Sequence, residues 1–472
     1  MREADQPIGD AERDLLFRNV RLPVAIAVSG GPDSTALMQL ATAWANSGGR
    51  AGAVPNGVAP VLVITVDHGL RPESAAEAAW VSWQAKRLGL AHVTLRWTDP
   101  KPRTGIQEAA RNARYRLILD YVGDEPLPQP RQVLLAHHQD DQAETVLMRL
   151  ARGSGVDGLS GMRAAEVRLW LRLRHPVEER RVEFLRPLLS VPKRRLLATL
   201  DALDAEYLQD PSNRDARFER VRLRAAGGAR ETLGLTTEKL ALTARRLASA
   251  REALERDQQD LARSAVDLHD GAWAAIDAEK LTAAPPEVAM RLLQAVIGAF
   301  GGQPEAPDRS QVEALLERLT ASGQKTMTLG GAVIRPGFRL KRDGGHSSVL
   351  AIYREPSRRP LPISHLAPGE GLYWDRRFYV SLSFEHREPV RVEPLGQAGY
   401  ARLKRDYPSS RTLPIPAAAA AGLPSLWVGD RLLAVPFFWA AEPGLCGPLG
   451  ADGRPLAPVS FATRHLHAIF GA

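Results

Sequence analysis

Residues Val24 to Ala36, V-A-I-A-V-S-G-G-P-D-S-T-A, narrow most sharply what this chain can fold into. The apolar run Val24–Val28 suits a strand buried on both faces of a parallel sheet. It breaks at Ser29-Gly30-Gly31, and Pro32 stands where the first helical residue would be, a place that tolerates its missing amide. Strand, glycine turn and helix start make Ser29, Gly30, Gly31, Pro32, Asp33 and Ser34 a ready anion site, with backbone N–H groups and the helix dipole facing the ligand. The pattern is not G-x-x-x-x-G-K-[ST], because the lysine is missing. In its place stands Asp33. A carboxylate beside a polyphosphate is repulsive unless a divalent cation bridges them, which argues for Mg²⁺ at Asp33. From these residues alone, a tight turn with no ligand stays open.

The 472 residues exceed one ordinary domain, so two or three are expected. Met1 to Asp14 is acidic and polar without a secretory core, and no apolar stretch reaches the roughly 18 residues of a spanning helix. A single cysteine, Cys446, excludes an internal disulfide and a multi-cysteine zinc site and fits a reducing cytoplasm. The net charge of +8 is carried largely by arginine, densest between Arg163 and Arg230, and favours phosphate-rich partners.

Four buried-strand candidates, Val24–Val28, Val61–Val66, His92–Trp97 and Val133–Ala136, alternate with helical text. The expected fold is α/β, a parallel sheet with helices on both faces. Ligands of such sheets bind beyond the carboxyl ends of the strands. Those ends carry Ser29-Gly30-Gly31, Asp67-His68-Gly69-Leu70-Arg71, Thr98-Asp99 and His137-His138-Gln139-Asp140-Asp141. The last cluster reads as metal-binding or simply solvated. Arg111 and Arg114 share a face of the helix that follows Gly105, and Asp141 and Glu144 share one near a helix N-terminus, where acids also favour the dipole.

S-G-G-P-D-S resembles the pyrophosphatase-type loop (PP-loop) of enzymes that split ATP to AMP and pyrophosphate. V-D-H-G-L-R, E-A-A-R-x-x-R-Y, A-H-H-x-D-D-Q-A-E-T-V-L-M-R-L, R-G-S-G-V-D-G-L-S-G-M, R-P-L-L (Arg186 to Leu189) and D-P-S-N (Asp210 to Asn213) follow in order and together resemble the tRNA(Ile)-lysidine synthetases. The resemblance implies a reaction in which ATP adenylates the wobble cytidine of a CAU-anticodon tRNA(Ile) and free L-lysine displaces AMP. It implies that residues 29–34 hold the pyrophosphate of ATP, with Asp33 at Mg²⁺. It places lysine at Asp141 and Glu144 with Arg111 or Arg114, and nucleotide or base contacts at His68, His137, Arg220 and Arg222. The proton of the attacking amine would go to an acid of that cluster or to Asp33. One departure stands out: the family shows R-N-R-I-R where this chain has Arg220-Val221-Arg222-Leu223-Arg224.

The implied layout is a catalytic domain over residues 1–215, a mostly helical tRNA-binding domain over 216–350, a linker over 351–370 and a small α+β domain over 371–472 that handles tRNA. Thr236 to His269 reads as one long helix with leucine every seventh residue, from Leu240 to Leu268. The intervening positions Ala244, Arg251 and Gln258 are too polar for a strong zipper, so packing within its own chain is expected. Arg402, Lys404, Arg405 and Arg411 are candidate phosphate contacts. The distant, lone Cys446 argues against the sulfur-inserting relatives of the loop and against a glutaminase-fed amidotransferase. A non-catalytic RNA-binding chain is disfavoured by Asp33, Asp141 and Glu144. Oligomeric state is not legible in the sequence.

Overall fold

The computed structural model describes residues 6–48, 59–124, 130–173, 178–209, 219, 222–223, 227–269, 272–321, 325–342, 345–356, 360–382, 387–435 and 459–463. The chain divides into two compact units, one comprising residues 1–171 and 179–251, the other 172–178 and 252–472.

The first unit runs α1 (Asp10–Leu16), β1 (Val24–Ala27), α2 (Pro32–Asn46), β2 (Val61–Asp67), α3 (Ser74–Arg87), β3 (Ala91–Arg96), α4 (Ile106–Asp124), β4 (Gln132–Leu134), α5 (Gln139–Leu150), α6 (Val156–Leu159), β5 (Ala165–Arg172), β6 (Glu178–Leu185) and α7 (Lys193–Ala202). The strands form one sheet in the order β3-β2-β1-β4-β6-β5. Pairing is parallel from β3 across to β6. Because strand side chains alternate between faces, β1 feeds two cores. Val24 and Ile26 pack with Leu37, Met38 and Trp44 of α2 and Leu196 and Leu200 of α7, whereas Ala25 packs with Tyr115, Ile118 and Val122 of α4. The expected parallel sheet with helices on both faces is the observed one. Its order reverses at β1, which has β2 on one side and β4 on the other. The loops after β1 and β4 therefore diverge around a crevice at the carboxyl edge.

The α5 motif does more than cap a helix. Gln142 donates to the Met162 carbonyl at 3.0 Å and accepts from its N–H at 2.6 Å. Arg149 donates to the carbonyls of Gly158 and Gly161, both at 2.9 Å. Gly161 has φ +70°, and a Cβ there would lie 2.6 Å from Gln142 Oε1, so the R-G-S-G-V-D-G-L-S-G-M stretch is a glycine loop fastened to the helix before it.

After α8 (Gly227–Thr232), the helix α9 spans Thr237–Ala265, four residues shorter than the expected end at His269. Val266–His269 is instead a strand antiparallel to Trp273–Asp277. β-branched Val266 and the short connection to Trp273 favour the hairpin over another helical turn. The buried line of α9 includes Leu240, Ala244, Arg251, Gln258, Ala262 and Ala265, so the polar positions of the heptad face the protein. Arg251 donates to the Ser160 hydroxyl.

In the second unit, Val266–His269, Trp273–Asp277, Gly345–Arg354, Ala332–Arg342 and Met327–Leu329 form an antiparallel sheet in that order. Helices Pro286–Phe300 and Arg309–Thr320 cover one face of it. Two smaller sheets follow. Ser364–Leu366, inside the stretch read as linker, pairs with Val390–Pro394. Asp375 lies in the turn between Gly371–Trp374 and Phe378–Leu382 and binds Arg354 at 3.0 Å and Arg377 at 2.7 Å, all three side chains being buried. Replacing Asp375 by Ala leaves two guanidinium groups without their countercharge. It should cost this unit about 3–5 kcal/mol, read as a lower denaturant midpoint for the unfolding of this unit.

Candidate functional site

The loop after β1 has the geometry its sequence suggests. Gly30 adopts φ +87°, and a Cβ there would stand 2.8 Å from Leu208 Cδ1 and 3.2 Å from Val81 Cγ2, so only glycine fits. Its carbonyl accepts from the Leu208 N–H at 2.9 Å and from the Thr35 hydroxyl at 3.1 Å. Gly31 caps α2 in an extended conformation and Pro32 occupies the first turn. Ser34 Oγ accepts from the Ser29 N–H at 3.2 Å, donates to the Gly31 carbonyl at 3.0 Å, and lies 3.3 Å from Ser29 Oγ. These bonds fix the loop from inside and leave the start of α2 as its anion-attracting end.

Asp33, in the first turn of α2, meets the β4–α5 loop through His138. That imidazole is buried, with Nε2 3.6 Å from Asp33 Oδ2 and 3.4 Å from Asp141 Oδ2, and Nδ1 3.6 Å from Asp140 Oδ2. Burial alone would lower its pKa, but the contacts with Asp140, Asp33 and Asp141 more than offset this and push it up to about 9. His138 is therefore a cation at neutral pH. Burial pulls Asp33 the other way, towards protonation, yet His138 and Lys193 together hold its carboxyl below the usual carboxylate range. Asp140 is held down likewise, against burial, by His138 and by the Lys193 N–H, which it accepts at 2.8 Å.

Lys193 is the first residue of α7, and its Nζ donates to Asp33 Oδ2 at 3.1 Å. Asp33 Oδ1, in contrast, is buried without a hydrogen-bond partner. An orphaned carboxylate oxygen at the rim of an anion loop fits a divalent cation shared with phosphate. Among the described residues no group of three or more His, Cys, Asp or Glu is arranged to hold a metal, and a Mg²⁺ bound through one carboxylate and phosphates needs none.

Asp141 Oδ2 accepts from the His138 N–H at 3.1 Å, capping α5. Glu144, one turn on, is buried and lines a cleft of about 540 Å³ with His138, Asp140, Lys193, Arg194 and Arg230. Residues 29–34, Asp141 and Glu144 thus surround neighbouring loops at one edge of the sheet. Arg111 and Arg114 make their described contacts elsewhere. Arg114 Nη2 lies 3.4 Å from His68 Nε2, and Arg111 lies over the Tyr115 ring with Nη2 3.4 Å from its hydroxyl. Burial and then Arg114 lower the His68 pKa to about 4, so the ring is neutral, edge-on to Trp97. His137 is half-buried between β4 and α5. Arg222 is exposed, and Arg220, Val221 and Asp210–Asn213 lie outside the described residues.

On the helix Gly396–Asp406, Arg402 donates to the Asp430 carbonyl at 2.9 Å, Arg405 pairs with Asp406 at 2.9 Å, and Lys404 Nζ lies 4.3 Å from the centre of the Tyr400 ring. These side chains are tied locally and gathered on one helix.

Three residues that the sequence reading leaves without a role prove central. His138 is hidden beside the assigned His137, Lys193 follows Pro192 at a helix start, and Arg186 opens R-P-L-L. Arg186 is buried and donates to the Tyr115 hydroxyl at 3.1 Å, Glu166 at 2.9 Å and the Arg163 carbonyl at 2.8 Å. The one available signal for Lys193 is its position. α7 opens with Lys193, Arg194 and Arg195 and has no acid in its first turn, against the preference of the helix dipole.

A family model for the PP-loop domain matches residues 10–227. Curated relatives extend further. The chain is 42% identical over 347 residues to a tRNA(Ile)-lysidine synthase from Methylobacterium nodulans, covering 71% of this chain and 91% of that one. It is 40% identical over 370 residues to one from Bradyrhizobium sp., covering 75% and 96%. It is 34% identical over 428 residues to one from Ruegeria pomeroyi, covering 89% and 90%.

Gly30→Ala forces an L-residue into a left-handed conformation, at a cost of about 1–2 kcal/mol, and drives its methyl into Leu208. ATP affinity should fall at least about tenfold in equilibrium titration while far-ultraviolet circular dichroism stays unchanged, because the strain is confined to the loop.

Proposed function

The chain belongs to the tRNA(Ile)-lysidine synthase family of ATP-dependent PP-loop ligases, and on that premise we propose that it joins free L-lysine to C2 of the wobble cytidine of a CAU-anticodon tRNA(Ile) through an adenylated cytidine, releasing AMP and pyrophosphate. The product reads AUA in place of AUG and is charged with isoleucine. The observation that carries this reading is one buried His138 that faces Asp33 of the loop after β1 and Asp140 and Asp141 of α5, with Glu144 lining the same cleft.

Residues 29–34 receive the ATP phosphates at the start of α2. Donors fixed before the reaction stabilise the charge that develops on pyrophosphate as it leaves. Asp33, through Oδ1, and the phosphates would hold Mg²⁺, which when bound neutralises phosphate charge. Lysine brings an ammonium, an α-amine and a carboxylate. Asp141 is engaged in capping His138, so Glu144, which lines the cleft, is the acid assigned to the ε-amine. The ammonium must lose a proton before it can attack, and a carboxylate in contact with it is the acceptor at hand. Arg111 or Arg114 takes the lysine carboxylate. His68, neutral and bonded to Arg114, is suited to a base edge, and His137 to the nucleotide. Arg220, Arg222 and the basic residues Arg402, Lys404 and Arg405 are assigned to tRNA. We retain 1–215 as the catalytic portion, with 216–350 and 371–472 handling tRNA in the cytoplasm.

The deciding experiment incubates purified protein with ATP, Mg²⁺, lysine and CAU-anticodon tRNA(Ile), and reads the tRNA by nucleoside mass spectrometry. Lysidine is expected, and an unmodified cytidine overturns the proposal. Asp33→Asn should abolish AMP formation and leave tRNA affinity within about twofold, since tRNA contacts are spread over many phosphates. Glu144→Gln should raise KM for lysine by about tenfold or more, the worth of a charge-assisted bond lost from a buried site. An unchanged lysine dependence returns Glu144 to helix-end electrostatics.

A further inference from the structure

Each of the three cations that open α7 has been drawn to a different acid. Arg195 forms a two-pronged pair with Glu12 at 2.6 Å, and Arg194 pairs with Glu238 at 3.2 Å. Lys193 alone reaches into the catalytic loop, to Asp33 Oδ2. Its backbone is pinned by Asp140, so the ammonium pivots about a fixed point. Its side chain is one-third exposed and lines the same cleft as Glu144 and His138. It can therefore move without unfolding anything.

The charges make that contact consequential. Asp33 carries one negative charge and is faced by two cations, Lys193 at 3.1 Å and the buried His138 at 3.6 Å. A carboxylate countered in this way has little attraction left for a dication at its other oxygen. His138 cannot leave, because Asp140 and Asp141 hold it from their own sides. Lys193 can. A polyphosphate at residues 29–34 would offer it several negative oxygens within a side-chain length of Asp33, and the same displacement would return Asp33 to the metal.

We propose that Lys193 gates metal entry: its ammonium neutralises Asp33 until nucleotide phosphates draw it off, after which it binds those phosphates and Asp33 accepts the cation. Metal and nucleotide then enter together, and neither is held strongly alone. Such coupling is reciprocal, each ligand raising the affinity for the other by the same factor, and because the ammonium opposes the metal but favours phosphate, its removal should move the two separate affinities in opposite directions. This rests on the reading of Asp33 as the metal carboxylate.

The test measures Mn²⁺ binding to the full-length protein without nucleotide, by electron paramagnetic resonance of free Mn²⁺, alongside ATP binding by calorimetry. Lys193→Met should tighten Mn²⁺ about tenfold and weaken ATP by about tenfold or more, each the scale of one partly exposed charge-assisted bond. Lys193→Arg, which keeps the charge, should leave Mn²⁺ weak and restore much of the ATP affinity. A gain in metal affinity cannot come from misfolding. If Lys193→Met leaves Mn²⁺ affinity unchanged, the gate is refuted, and if ATP affinity is unchanged, its phosphate role is refuted. Asp33→Asn in the Lys193→Met background should remove the added Mn²⁺ affinity. If the added affinity survives, it is the assignment of Asp33 to the metal that fails.

Discussion

One buried imidazolium holds this catalytic edge together. Asp33 comes from the first turn of α2, which follows β1, and Asp140 and Asp141 come from the first turn of α5, which follows β4. Three carboxylates converging from two loops would repel one another and force one to take up a proton. His138 stands among all three and, with its pKa raised to about 9, supplies the charge that holds Asp33 and Asp140 below the usual carboxylate range. A buried cation of this kind costs desolvation, and it is tolerated because every side of it meets an acid. The register of the two loops follows from that contact. The loop after β1 and the acids of α5 are thus held at a fixed separation.

The rest of the first unit reads as support for this pair of loops. The β1 strand is central, paired on both sides, with two cores packed against it, so the loop it launches cannot drift. α5 is bound to the glycine loop that follows through Gln142 and Arg149, and α7 is tied to the N-terminal segment through Arg195. A second buried centre, Arg186 with Tyr115 and Glu166, lies under the arginine face of α4 and fixes the helix from which Arg111 and Arg114 project. Precision at the site is bought with backbone carbonyls and buried guanidinium groups, which have few alternative partners.

The sequence made the first unit legible because its signals are local. Apolar β-branched runs, a glycine turn and a proline at a helix start each act within a few residues, and the four strands lie within a residue or two of their expected bounds. What was hidden depends on pairs distant along the chain. Lys193 and Asp33 are 160 residues apart, Arg186 and Tyr115 71 apart, and no periodicity links them. His138 was masked by its neighbour: two adjacent histidines look equivalent in a string, yet the residue that caps the helix is buried and the other is only partly so. Arg111 and Arg114 show the converse. Shared helical spacing was legible, and so was the i, i+4 step from Arg111 to Tyr115, but the partner of Arg114, His68, was set by tertiary packing.

The heptad of α9 carries a consequence of its own. Leucine at every seventh position is the pattern by which two copies of a helix find each other, and here the position between Leu247 and Leu254 that would complete the seam is a buried arginine. Arg251 donates through Nη1 to the hydroxyl of Ser160, a partner that its own fold supplies. A second copy of the same stripe, laid in register, would bring a like charge to that position and no acceptor. The residue that makes the helix a poor zipper is thereby the one that ties it to its own chain.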